Sequence, residues 1–279
     1  MKVGTKLTRF SLLLVTPLAI TACPRDKSGD SLTLTEASQA VDESTIGSQG
    51  EGLAAESIEI STSFTLGQAV QTAAQQLSDF ITTQRPCASV TLSASTITVV
   101  YGAHGTCLYN GHAITGTSEI TITKNDAADV IVDHRWTTLS NGLVQVDGTA
   151  TVTWSQASAS RHVVHDIVIE RLRDQKTVDS SGDRTQTPLN GDVTTGIVVN
   201  GTRSWVSSTG TWDLTIDNVQ MRWVDPLPQA GTYTLLSPKS RTLTLGFARA
   251  DADTITVTLS GANRTFSFDV NSTGESTAR

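Results

Sequence analysis

Residues 144–154, Val144-Gln-Val-Asp-Gly-Thr-Ala-Thr-Val-Thr-Trp154, alternate apolar and polar side chains with a period of two. The apolar face comprises Val144, Val146, Ala150, Val152 and Trp154. The other face is polar and rich in threonine. Clean alternation is typical of antiparallel strands with one buried and one solvated face, because strands of a buried parallel sheet are apolar on both. This stretch therefore predicts an antiparallel sheet.

The same alternation recurs between Cys87 and Val270, most clearly in residues 114–123, 242–247 and 254–259. Threonine on the polar face is β-branched and favours strands. A Gly-Thr pair opens several of these stretches at irregular spacing, which argues against a propeller or a solenoid. We predict a mainly β fold: an irregular antiparallel meander, forming either a curved sheet or a sandwich-like arrangement.

One segment before the strands has helical rather than strand spacing. Its apolar residues are Leu66, Val70, Ala73, Leu77 and Phe80. They form one stripe of an amphipathic helix that runs from an N-cap at Thr65 to about Ile81. We expect this single N-terminal helix to pack on its own sheet.

Composition divides the chain into five segments. We expect a signal peptide at 1–22, a disordered tether at 23–56, a helix plus antiparallel β domain at 57–225, a C-terminal β subdomain or continuation of the sheet at 226–270, and a disordered tail at 271–279. The tether is expected because residues 24–56 contain few large apolar groups to offset the entropy of ordering. Residues 174–192 are polar and turn-rich, and predict a long surface loop.

The amino terminus reads as an export signal. Lys2, Lys6 and Arg9 precede an apolar stretch that closes with Ile20-Thr21-Ala22-Cys23. The stretch is too short and wrongly flanked for a transmembrane helix. These last four residues resemble the lipobox of bacterial lipoproteins. The alternative is an ordinary secretory signal with a chance cysteine.

The lipoprotein resemblance implies a location in the cell envelope. In that family the chain is cut before the cysteine, which is lipid-modified on sulfur and acylated on nitrogen, so Cys23 would anchor the protein to a membrane. Pro24 stands where an inner-membrane retention signal has Asp. By resemblance to diderm sorting rules, the outer membrane is then the expected destination. The body of the chain is similar in style to uncharacterised Thr-rich β-meander secreted lipoproteins, a group with no activity to carry over.

Charge restricts the partners. The chain has 20 Lys and Arg against 27 Asp and Glu, and removal of Lys2, Lys6 and Arg9 with the leader would change the net charge from −7 to −10. Such an acidic protein is a poor match for nucleic acid. No apolar run of about 18 residues follows the leader. We expect no cofactor, and an envelope protein, a glycan or a lipid as partner.

Cys87 and Cys107 are the two remaining cysteines. In an oxidising compartment such a pair is usually bridged, and a loop of this length would contribute about 3 kcal/mol. The alternative is two separately buried thiols. We predict a disulfide that ties the helix–sheet junction to the sheet.

Catalytic patterns are sparse. Neither a Gly-x-Ser-x-Gly elbow nor a Ser-x-x-Lys pair is present. His162 and Asp166 share one face of a predicted strand, while His165 lies on the other. Together with His134 they form the only metal-ligand hypothesis, although His134 alternates with apolar residues and fits a core position better.

The tryptophans give one further candidate. Trp136, Trp154 and Trp212 lie in phase with aliphatic residues and are expected in the core. Trp205 and Trp223 lie near Arg203 and Arg222, in mixed patterns, and are the candidates for an exposed aromatic site.

The sequence thus favours a lipid-anchored envelope protein that acts as a non-catalytic binding or structural module. One alternative is a carrier of lipid or another apolar ligand in a curved sheet. A hydrolase or a metal-dependent enzyme is less favoured, because no catalytic arrangement stands out.

Overall fold

The computed structural model describes residues 31–62, 70–109, 112–125, 129–155, 160–192 and 195–279. The two α-helices among these residues are α1 (Leu34–Thr62) and α2 (Val70–Gln84), and a short 3-10 helix spans Leu189–Gly191. The strands are β1 (Ser89–Ser93), β2 (Thr96–Tyr101), β3 (Cys107–Tyr109), β4 (His112–Lys124), β5 (Val130–Ser140), β6 (Val144–Ser155), β7 (Ser160–Arg171), β8 (Lys176–Pro188), β9 (Ile197–Ser207), β10 (Gly210–Met221), β11 (Ala230–Leu236), β12 (Thr242–Arg249), β13 (Thr254–Gly261), β14 (Arg264–Asn271) and β15 (Ser276–Ala278).

All strands belong to one open antiparallel sheet. Neighbours in the sheet follow chain order from β1 to β15, except that β3 pairs only with the start of β4. The predicted mainly β antiparallel meander is therefore confirmed. The C-terminal strands continue the same sheet, because β10 pairs with β11 without a break in the order.

Helix α1 lies inside the curve of this sheet. It contacts β5–β8 and also β13–β15, near the other end of the strand order. Along most of its length its side chains are buried on every side. A helix enclosed in this way must bury polar as well as apolar residues, and each buried polar group needs a partner.

The start of α1 is defined by a reciprocal capping box. The Thr33 hydroxyl accepts a hydrogen bond from the backbone N–H of Glu36 at 3.2 Å, and the Glu36 carboxylate accepts one from the backbone N–H of Thr33 at 3.0 Å. This pairing satisfies two backbone donors at the helix end. Lys239 and Arg241, beside β12, pair with the same carboxylate and hold the cap against the sheet.

Helix α2 covers the first strands. Its buried residues Ala73, Ala74, Leu77 and Ile81 belong to the core, and the helix contacts β1, β2 and β4. This confirms an amphipathic helix at this point in the chain, extending to Gln84 rather than Ile81. The expected N-cap Thr65 and Leu66 lie outside the described residues.

The predicted disulfide is present. Cys87 follows α2 and is bonded to Cys107, the first residue of β3, with their Cα atoms 5.2 Å apart. The bond joins the junction between α2 and β1 to the edge of β4, which pairs with β3.

The expected tether at 23–56 is wrong from Leu34 onward, where α1 begins; residues 23–30 lie outside the described residues. The prediction counted only large apolar groups. Helix α1 buries the aliphatic residues Val41, Ile46, Leu53 and Ile58, but many of its other buried positions are small side chains or carboxylates that the sheet neutralises.

Two further segment predictions are wrong. Residues 176–188 of the expected surface loop form β8, and residues 276–278 of the expected disordered tail form β15. Buried inward positions of β8 are Val178, Ser180, Arg184 and Gln186, so the inward face of the strand is mostly polar.

The close approach of α1 to β7 generates a prediction at two helical glycines. A Cβ at Gly50 would lie 2.5 Å from Ile169 Cγ2, whereas a Cβ at Gly52 would meet nothing within 4 Å. Gly50→Ala should lower the free energy of unfolding by about 1–3 kcal/mol through overpacking. Gly52→Ala should raise it by about 0.5–1 kcal/mol, because alanine favours a helix. Urea unfolding of both variants checks this, and equal effects would contradict the packing.

Candidate functional site

The most highly charged part of the interior centres on Glu51 of α1. Its carboxylate pairs with Arg184 of β8 and, at 2.9 Å, with Arg203 of β9. The Ser180 hydroxyl donates to the same carboxylate at 3.2 Å. The Glu51 and Arg203 side chains are 2% and 1% exposed. Burial alone would raise the pKa of Glu51, but the two guanidinium charges outweigh it and lower the pKa to about 2.

His165 of β7 completes this cluster as a neutral side chain. Arg184 Nη2 donates to His165 Nδ1 at 3.2 Å, so the proton of the neutral ring resides on Nε2. Burial, reinforced by the charge of Arg184, lowers the pKa of His165 to about 3. The cluster therefore contains two cations, one anion and a neutral histidine at neutral pH.

Aromatic rings accommodate the second cation. The guanidinium carbon of Arg203 lies 5.0 Å from the ring centre of Trp205 and 5.5 Å from that of Tyr233. Such cation–π contacts are strongest when the cation is desolvated. Trp205 in turn donates its ring N–H to Glu43 of α1 at 3.1 Å.

Two further pairs fix the direction of α1 along β7. Asp42 pairs with Arg171 and Glu59 with Arg161, so the helix runs antiparallel to the strand. The acids span about 25 Å of helix and the arginines about 33 Å of strand. Long arginine side chains bridge that difference.

This interior arrangement holds the fold together. Its titratable groups face one another, and they are too deeply buried to meet a substrate. Perturbed pKa values often mark catalytic sites, but buried structural ion pairs perturb pKa values in the same way. We therefore assign the cluster to the attachment of α1.

The metal-ligand candidates are not brought together. His134 lies on the inward face of β5, where its Nε2 is 3.1 Å from Ser61 Oγ and its ring stacks on Trp136. Burial lowers the pKa of His134 to about 3. His162 and Asp166 lie on the outward face of β7, as the alternation predicts. No group of three metal-ligating side chains occurs within the described ranges.

The prediction of an exposed aromatic site is wrong for Trp205, which is 1% exposed. Trp223 is partly buried against the core. Trp136 and Trp212 are buried as predicted, whereas Trp154 is only half-buried. Cys23, the candidate lipidation site, lies outside the described residues.

A groove on the outward face is the candidate binding site. It crosses β7–β12, has a volume of about 660 Å³, and its lining includes Val164, Ser181, Asp183, Ser204, Asp213 and Leu236. We call it the outer groove. Its two aspartates are exposed, and Asp183 is 2.5 Å from His162 Nε2.

Small side chains produce the concave shape. Ser181 of β8 is directly opposite Ser204 of β9, and Thr202 is opposite Thr215 of β10. Larger aliphatic side chains lie at the two sides: Val164 on β7 is 44% exposed and Leu236 on β11 is 43% exposed. Asp213 lies on the solvated face of β10, but alternation within one strand does not show that several strands combine into a groove.

No family model, curated protein or solved structure matches this chain. Neither described α-helix has the length and apolar character needed to cross a membrane.

Removal of the charge on Glu51 tests the interior cluster. Glu51→Gln preserves the side-chain size but leaves the charges of Arg184 and Arg203 buried without an anion. We expect the free energy of unfolding to fall by about 3–5 kcal/mol at pH 7. Glu119→Gln, on the outward face of β4, should change it by no more than about 0.5 kcal/mol. Urea unfolding gives both values, and similar values for the two variants would contradict the assignment.

Proposed function

We propose that this protein is a lipid-anchored cell-envelope protein, attached to a membrane through Cys23, whose folded part is a non-catalytic binding or structural module. The observation that carries the anchor is the sequence Ile20-Thr21-Ala22-Cys23 after a basic and apolar leader. The Cys87–Cys107 disulfide supports export, because such bonds persist in oxidising compartments.

The start of α1 adds a distance limit to this proposal. Leu34 lies 11 residues after Cys23, and a fully extended chain of that length spans about 40 Å. An acylated Cys23 would therefore keep the domain close to the bilayer surface. If the host has two membranes, we place that anchor in the outer one, because Pro24 follows the cysteine.

The non-catalytic part of the proposal is supported by how the buried titratable groups are used. Glu51, His165 and His134 all contact groups of the interior, and these contacts attach α1 to the sheet. The carrier alternative requires an accessible apolar concavity. Helix α1 packs along the inward face at β5–β8, which disfavours it.

Labelling of the producing bacterium with radioactive palmitate tests the anchor. Wild-type protein should carry label and sediment with membranes, whereas Cys23→Ala should lose both properties. Ser28→Ala, downstream of the cleavage position, is the control that should keep both. Retention of label and of membrane association by Cys23→Ala would contradict the proposal.

A further inference from the structure

Charge is segregated across the sheet at β7–β10. On the inward face these strands carry Arg161, Arg171, Arg184 and Arg203, which pair with acids of α1. On the outward face they carry the exposed carboxylates Asp166, Asp179, Asp183, Asp213 and Asp217. The inward cations are already paired within the fold, so the outward acids present a negative surface to solvent.

The outer groove lies within this negative surface and also offers apolar contacts. Val164, Val168, Val206 and Leu236 are large aliphatic residues of the outward face, each between 43% and 47% exposed. Val164 and Leu236 are at opposite sides of the groove, with the small hydroxyl side chains between them. A partner that fits must supply positive charge, apolar side chains and hydrogen-bonding groups together.

The spacing of the carboxylates suits an extended polypeptide. Asp183 and Asp213 are two strands and two residues apart in register, which corresponds to about 12 Å between their Cα atoms. Residues i and i+4 of an extended chain are about 13 Å apart and point to the same side. Basic residues at this spacing would reach both carboxylates, with the intervening apolar side chain between them.

We infer that the outer groove binds an extended, lysine- or arginine-containing segment of another protein. Asp183 and Asp213 form charge-assisted hydrogen bonds to two basic side chains of the segment. Val164 is beside Asp183 and Leu236 is beside Asp213, each on the outer side of the pair, so they contact apolar residues two positions outside the basic residues of the segment. The serine and threonine hydroxyls between the aspartates bond to its backbone. This inference specifies the partner of the proposed binding module and rests on that proposal, but it does not depend on the acyl anchor.

The test measures fluorescence anisotropy of the labelled peptide Lys-Ser-Val-Ser-Lys-Ser-Val-Ser-Lys with the purified full-length chain. We expect saturable binding that weakens as salt is raised, because exposed charge pairs are screened. The double variant Asp183→Asn, Asp213→Asn should bind at least tenfold more weakly. The control double variant Glu119→Gln, Asp253→Asn changes the net charge equally at exposed sites outside the groove, and should bind within twofold of wild type.

A third variant tests the groove without altering charge. Thr215 is an exposed residue on the floor of the outer groove, so Thr215→Trp fills the groove and should lower the affinity for the peptide at least tenfold. Thermal unfolding of each variant verifies that it is folded. Equal weakening by the two double variants, or unchanged binding by Thr215→Trp, would overturn the inference. Equal binding of a peptide with Glu in place of Lys would also overturn it. So would saturable binding of a neutral chito-oligosaccharide together with no binding of the peptide. Absence of palmitate label from the wild-type protein, in contrast, would contradict only the anchor.

Discussion

The fold depends on the neutralisation of arginines that point into the sheet by carboxylates of α1. Glu51 lies between Arg184 and Arg203, and Asp42 and Glu59 pair with opposite ends of β7. Buried charges without partners are strongly destabilising, so the helix and the sheet require each other. The same pairs define strand register, since a shift of β8 by one residue would turn Arg184 toward solvent.

Small residues in α1 allow these pairs to form. Gly47 lies beneath the guanidinium of Arg203, and Gly50 lies against Ile169. The helix therefore approaches β7 and β9 closely enough for carboxylates to meet arginines. The same strands carry acids and small hydroxyl residues on their outward face, so one alternation of side chains produces both the interior attachment and the outer groove.

Strands with apolar inward residues were predictable from the sequence, as β6 shows. Helix α1 and β8 were missed because their buried positions carry charged and small residues, which resemble those of a tether or a loop. The capping box of Thr33 and Glu36 was a readable signal for α1. Alternation correctly assigned His134 to the inward face of β5, and His162 and Asp166 to the outward face of β7. Arg203, two residues before Trp205, favours a solvated face in the sequence pattern, whereas the structure buries both side chains.

The enclosure of α1 is the central claim, and hydrogen–deuterium exchange of the full-length chain tests it most directly. Backbone amides exchange slowly where hydrogen bonds open only with global unfolding. The structure predicts that the backbone amides of residues 37–59 exchange as slowly as those of β6–β9. Complete exchange of residues 37–59 within seconds, while β6–β9 remain protected, would contradict it.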